Sequence, residues 1–178
     1  VGDLVYVGGS QHSLFGFDTS SLARVTGNIM KSGGDLQASD TDGELLYAGC
    51  HCAQWTYSDA YTWSTLSAGW SEADTIKWLG VWDATTGAYV PDFTPNLSLR
   101  LGSGPWAVKV DSNGQVWAGG DIQTARTNQG QKFAGGFARF ARTDSTAPGA
   151  PGNFRVVSQT ADSATLAWSP APDPSGGT

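Results

Sequence analysis

Three pentapeptides organise this chain: VYVGG at Val5 to Gly9, LYAGC at Leu46 to Cys50 and VWAGG at Val116 to Gly120. Each opens on apolar, β-favouring residues and runs out into small ones, so each reads as a strand that can end sharply or lie close against another backbone. The three start 41 and 70 residues apart, and the second interval therefore exceeds the first by 29 residues. That surplus reads as an insertion in the second copy, a long loop after Cys50.

The flanking sequence repeats in phase. DTDG (Asp40 to Gly43) precedes the second copy and DSNG (Asp111 to Gly114) the third, each placing Asp first and Gly last as a hairpin turn prefers. Trp106 to Val110 reads as the strand before the latter turn. Downstream, LFGFDTSSL (Leu14 to Leu22) is echoed by WLGVWDATTGAYV (Trp78 to Val90), with Asp18 and Asp83 opening the turns. GGFARFARTD (Gly135 to Asp144) keeps the strand and loses the turn. No helix-period segment interrupts this order, and a period of about 40–45 residues suits a four-stranded propeller blade. The expectation is all-β: a partial β-propeller of about three blades over residues 1–142. Closing a ring takes roughly 4–8 blades, so the remaining blades are expected upstream of Val1.

Composition bounds the partners. With 39% hydrophobic and only 15% charged residues the chain can bury a core, and 24 glycines beside 8 tryptophans favour short strands and tight turns. A net charge of −6 with ten scattered Lys and Arg argues against nucleic acid, which needs clustered cations. No apolar run approaches the roughly 18 residues of a membrane span.

After Thr143 the composition shifts to a Pro/Gly linker, residues 143–152, and alternation resumes at Asn153 to Ser158 and Ser163 to Trp168. TAPGAPGNFRVVSQTADSATLAWSPAPDPSGGT (146–178) resembles the opening of a fibronectin type III domain: a Pro-rich lead-in, a first strand and a second closing on a tryptophan. The resemblance implies that 153–178 start an immunoglobulin-like sandwich of about 100 residues. It also implies that Trp168 is the core tryptophan and that Phe154, Val156 and Leu166 face inward. Residues 1–142 are similar to the Gly-Gly-ended propeller repeats of secreted bacterial proteins, with the surplus and the CHC at Cys50 to Cys52 as departures. Fibronectin modules of that setting are spacers in extracellular enzymes and adhesins, which implies an extracellular location and further domains of the same chain.

Chemistry-bearing residues are few. On a strand, Cys50 and Cys52 project to one face and His51 to the other, so one ion cannot take all three, and His12 is the only other histidine. An oxidised Cys50–Cys52 pair, a disulfide to another part of the chain, a metal site and packed thiols stay open, the first two preferred; no metal and no cofactor are expected. Asp40 to Glu44 has a calcium-loop look but lacks the downstream Glu, and a hairpin turn explains it. Glycoside hydrolysis needs two carboxylates across a cleft; the only glutamates are Glu44 and Glu72, and most Asp fall in turns. No catalytic residue is assigned. The segment Trp55 to Trp82 holds five of the eight tryptophans. Trp55, Tyr57, Tyr61, Trp63 and Trp70 are therefore candidate ligand-binding rings, since flat rings stack on sugar faces; the alternative is that they pad the insertion against its own sheet. The expected function is a non-catalytic extracellular binding or structural module whose partner is a polysaccharide or cell-surface glycan. Its rival is a secreted carbohydrate-active or quinoprotein-like propeller enzyme with an active site outside these residues.

Overall fold

A computed structural model describes residues 1–31, 34–62, 66, 69–93, 95–127, 130–141 and 149–169. The fold is all-β, with every strand pairing antiparallel and no helix among the described residues. The chain divides into two compact units, Val1–Arg142 and Thr143–Thr178.

In the first unit the Gly-ended pentapeptides lie on β1 (Leu4–Gly8), β5 (Leu45–Cys50) and β11 (Val116–Gly120). β5 is the middle strand of a sheet with β4 (Leu36–Thr41) and β8 (Leu79–Asp83). β11 is likewise central between β10 (Pro105–Val110) and β14 (Phe137–Phe140). The two sheets are built alike: a strand, a tight turn, the Gly-ended strand, a long connection and a third strand.

The long connection is not a free loop. Between β5 and β8 it forms β6 (Trp55–Ser58) and β7 (Glu72–Thr75), and β6 pairs with β3 (Arg24–Lys31) of the first sheet, Asn28 opposite Ser58 and Lys31 opposite Trp55. With β2 (Ser13–Asp18) that sheet runs β1-β2-β3-β6-β7. Between β11 and β14 the chain does the same on a smaller scale. β12 (Ile122–Thr127) and β13 (Gly130–Phe133) form a hairpin whose β12 pairs with β9 (Leu97–Leu99). The third copy thus carries its own projecting hairpin, and the 29-residue surplus is the larger version of a shared device.

Strand alternation sends side chains to both faces of the middle sheet. Leu46, Ala48, Cys50 and Trp82 pack with Leu14, Met30, Leu36 and Ile76 in one apolar layer. Tyr47, Leu79 and Val81 point the other way, onto Val108, Val110, Val116 and Ala118 in a second layer. Sheets β1-β2-β3-β6-β7, β4-β5-β8 and β10-β11-β14 thus enclose two cores, and Leu97 and Ile122 of the fourth sheet, β13-β12-β9, join the second. Gly49 marks a close approach of two sheets: a Cβ there would meet the Pro105 carbonyl at 3.0 Å.

Local turn chemistry departs from expectation at one place. Asp111 caps its turn, accepting from Asn113 N–H at 2.8 Å and Gln115 N–H at 3.0 Å. In the earlier turn the cap is Asp42, which accepts from Glu44 and Leu45, whereas Asp40 lies on β4. Asp40 instead reaches the neighbouring sheet, accepting from Val110 N–H at 2.8 Å and pairing with Lys109 Nζ at 2.7 Å. Two carboxylates two residues apart compete for one turn, and the outer one is freed for a contact between sheets.

The second unit shows β15 (Gly152–Gln159) paired with β16 (Ala164–Ser169). Val156 stands opposite Leu166, and alternation puts Phe154 and Trp168 on the same face. These four are 43–66% exposed, so the residues expected to face inward have no core over them among the described residues.

Candidate functional site

Equivalent bonds tie the end of each Gly-ended strand to the segment that enters its sheet. His51 N–H donates to the Asp35 carbonyl at 2.9 Å, and at the matching position Asp121 N–H donates to the Gly104 carbonyl at 3.1 Å. The chemistry-bearing residues gather along these ends. Asp35 has His12 Nε2 at 3.6 Å from one carboxylate oxygen and His51 Nδ1 at 3.8 Å from the other, so both histidines of the chain converge on one carboxylate. His12 Nδ1 accepts from Gly34 N–H at 3.1 Å, which in the neutral ring leaves the proton on Nε2, toward Asp35. His12 holds this place with a left-handed backbone, φ 57°.

His51 continues the chain of polar contacts. Its Nε2 donates to the Gln37 amide oxygen at 2.6 Å, and the Gln37 nitrogen donates to the carbonyls of Pro105 at 3.0 Å and Ser103 at 3.2 Å. Its ring meets Trp106 edge-on, 5.7 Å between centroids. On either side of His51, Cys50 and Cys52 are joined by a disulfide and fully buried in the first core layer. No group of three His, Cys, Asp or Glu side chains among the described residues is placed to hold a metal ion.

Trp106 is also a wall of a groove of about 570 Å³ lined by Arg100, Leu101, Ser103, Asp121, Gln123 and Phe133 over Gly120, Gly135 and Gly136. Backbone bonds from Gly120 N–H to Gly136 and from Gly136 N–H to Ile122 knit that floor. Gly120 must stay bare, because a Cβ would lie 2.6 Å from Trp106 N and 2.7 Å from the Gly104 carbonyl. Asp121 shapes the rim by accepting from Leu101 N–H at 2.6 Å, Ser103 N–H at 3.1 Å and Arg100 N–H at 3.2 Å. Desolvation opposes its ionisation, but these bonds and the nearby Arg100 charge win and hold its pKa below the usual carboxylate range.

The four described candidate rings of the insertion divide between two places. Trp55 and Tyr57 share the outer face of β6, with Trp55 43% exposed, while Thr56 between them is buried. Tyr57 packs edge-on against Trp70 at 5.3 Å. Tyr61 turns away: it covers Gly27, donates from its hydroxyl to the Val25 carbonyl at 3.3 Å, and lies 5.0 Å under the Arg24 guanidinium. Trp63 lies outside the described residues. Trp82 is a core residue, wholly buried, and Trp78 packs against the second layer. A smaller polar pocket of about 260 Å³ opens beside the insertion, between Thr26, Asp59, Glu72 and Thr86.

Sequence reasoning missed the His12–Asp35–His51 cluster and the Trp106–Phe133 groove. The available signal was the repeat itself: aligned on their Gly-ended strands, His51 and Asp121 occupy the same position. No protein-family model matches the chain, and no curated protein is detectably similar to it in sequence.

Proposed function

We propose that this chain is a non-catalytic binding or structural module of a larger secreted protein, in which propeller blades present a glycan-binding surface and a fibronectin type III domain serves as spacer. The observation that carries the reading is the repeated sheet: two sheets of one strand order, each sending a hairpin to a neighbouring sheet, with the Gly-ended β11 finishing in an aromatic-walled groove. The apolar face of β15–β16, built from Phe154, Val156, Leu166 and Trp168, supports the sandwich reading, since such a face needs a second sheet over it. A binding role is favoured over hydrolysis because four of the carboxylates, Asp121 at the groove among them, are committed. Asp18, Asp83, Asp111 and Asp121 spend their oxygens on turn and loop N–H groups and are held low, whereas a general acid needs a raised pKa.

The test is a glycan array probed with the intact protein, followed by incubation of any bound polysaccharide and assay for new reducing ends. Retention without cleavage is expected. Cleavage would replace the reading with the enzymatic one, and an array without a single bound glycan would remove the binding role.

A further inference from the structure

We infer that the groove between Trp106 and Phe133 binds an acidic sugar, with a pyranose ring against the aromatic walls and its carboxylate on Arg100. The inference rests on the glycan-binding reading above and names both the surface and the class of sugar.

The walls come from different sheets. Trp106 stands on β10 and is 59% exposed; Phe133 ends β13 and is 82% exposed. Between them lies backbone rather than side chain, because Gly120, Gly135 and Gly136 form the floor, and this lets a flat ligand sink to the level of the main chain. Apolar walls with a few polar groups, here the Gln123 amide and the Ser103 hydroxyl, match a pyranose, whose C–H faces stack on rings while its hydroxyls need hydrogen-bond partners. The edge of Trp106 is braced by His51, itself fixed through Gln37 to the carbonyls of Ser103 and Pro105. The ring is thus held in place before any ligand arrives, which lowers the ordering cost of binding.

Charge selects the acid. Arg100 makes no salt bridge to any described residue. Asp121 also lines the groove and keeps its negative charge near Arg100, but its oxygens are taken by three backbone N–H groups, which leaves the guanidinium donors open. In a chain of net charge −6 the groove therefore offers a cation with open donors, the geometry for a carboxylate on a ligand. The insertion differs: Tyr57 and Trp70 pair with each other, and Asp59 and Glu72 line the pocket beside it with no cation among its lining residues.

The experiment titrates the intact protein with a galacturonic acid trisaccharide and with the uncharged galactose trisaccharide, by calorimetry, at low and high salt. Preference for the acid, weakening with salt, is expected. Arg100→Gln should weaken acid binding about tenfold and remove its salt dependence. Trp106→Ala should abolish binding of both sugars, and because Trp106 also touches His51, Phe133→Ala provides a second probe at a more exposed ring. Equal affinity for both sugars, acid binding unmoved by Arg100→Gln, or a loss produced by Trp70→Ala instead of the groove variants would overturn the inference and leave the glycan-binding reading standing. An array that retains glycans while this trisaccharide is ignored overturns the inference alone; an empty array sinks both.

Discussion

Leu22 and Gly87 occupy the same position in two copies of one turn. Asp18 Oδ1 accepts from Ser20 and Ser21 N–H, Asp83 Oδ1 from Thr85 and Thr86 N–H, and the closing bonds Leu22 N–H to Asp18 and Gly87 N–H to Asp83 match. Both closing residues are left-handed, φ 56° at Leu22 and 72° at Gly87. A branched side chain in that region costs about 1–2 kcal/mol, while glycine costs roughly 0.5–1 kcal/mol in extra chain entropy, and Leu22 is 74% exposed with little packing to lose. Leu22→Gly should therefore raise stability by up to about 1 kcal/mol, read from the urea midpoint; a lower midpoint would show that Leu22 makes contacts worth more than its strain. The Asp18 and Asp83 turns were legible because a carboxylate two and three residues ahead of free N–H groups is a local matter. The Asp40–Lys109 pair was not, since it joins residues from different sheets and nothing in DTDG distinguishes the carboxylate that caps from the one that crosses.

At the scale of the element, the surplus after Cys50 shows how far periodicity reaches. The interval between repeats revealed extra chain, but the destination of β6 depends on hydrogen bonds to β3, formed between residues roughly 30 positions apart such as Asn28 and Ser58. Trp55-Thr56-Tyr57, read as part of a long loop, is a strand, with Thr56 taking the buried side and the two rings the open one. Composition alone treated the tryptophans of this stretch as a set, whereas the structure divides them. Trp82 sits wholly buried in the first core layer, edge-on to Tyr89 at 5.3 Å, and Trp70 remains 40% exposed against Tyr57. Trp82→Ala should cost about 3–5 kcal/mol, as expected for a buried tryptophan, and Trp70→Ala about 1 kcal/mol or less. Chemical unfolding of both variants measures the difference; equal losses would mean that the hairpin is packed as tightly as the core beneath it.

At the scale of the whole molecule, the sheets of the first unit were half visible. The recurring pentapeptides separated the sheets and their turns, while the convergence of His12, Asp35 and His51 on one end depends on how strand ends align across the stack, which no local pattern states. A distributed set of low-pKa carboxylates fixes the turns and rims, and one of them, Asp40, joins two sheets. A hydrogen bond from Ser21 lowers Asp18, the Thr86 N–H lowers Asp83, the Trp117 indole lowers Asp111, and at Asp40 burial is outweighed by bonds from Lys109 and Val110. Asp121, held low by its three N–H donors against desolvation, anchors the segment 100–103 at the groove. Each of these groups binds its proton less tightly when folded than when unfolded, so each contributes stability that is complete above the unfolded carboxylate pKa of about 3.9 and is lost as pH falls through the lower folded value. Below about pH 4 the thermal midpoint should therefore drop steeply as the unfolded chain takes up protons first. Asp121→Asn removes one such group while keeping an acceptor oxygen for the loop. Its acid-limb slope should be shallower than that of the wild type, and its midpoint at neutral pH lower. Measuring both midpoints from pH 7 to about 2.5 in one buffer series separates the cases. Parallel acid limbs for the two proteins would mean that Asp121 titrates alike in the folded and unfolded chain and does not hold the rim of the groove by its charge.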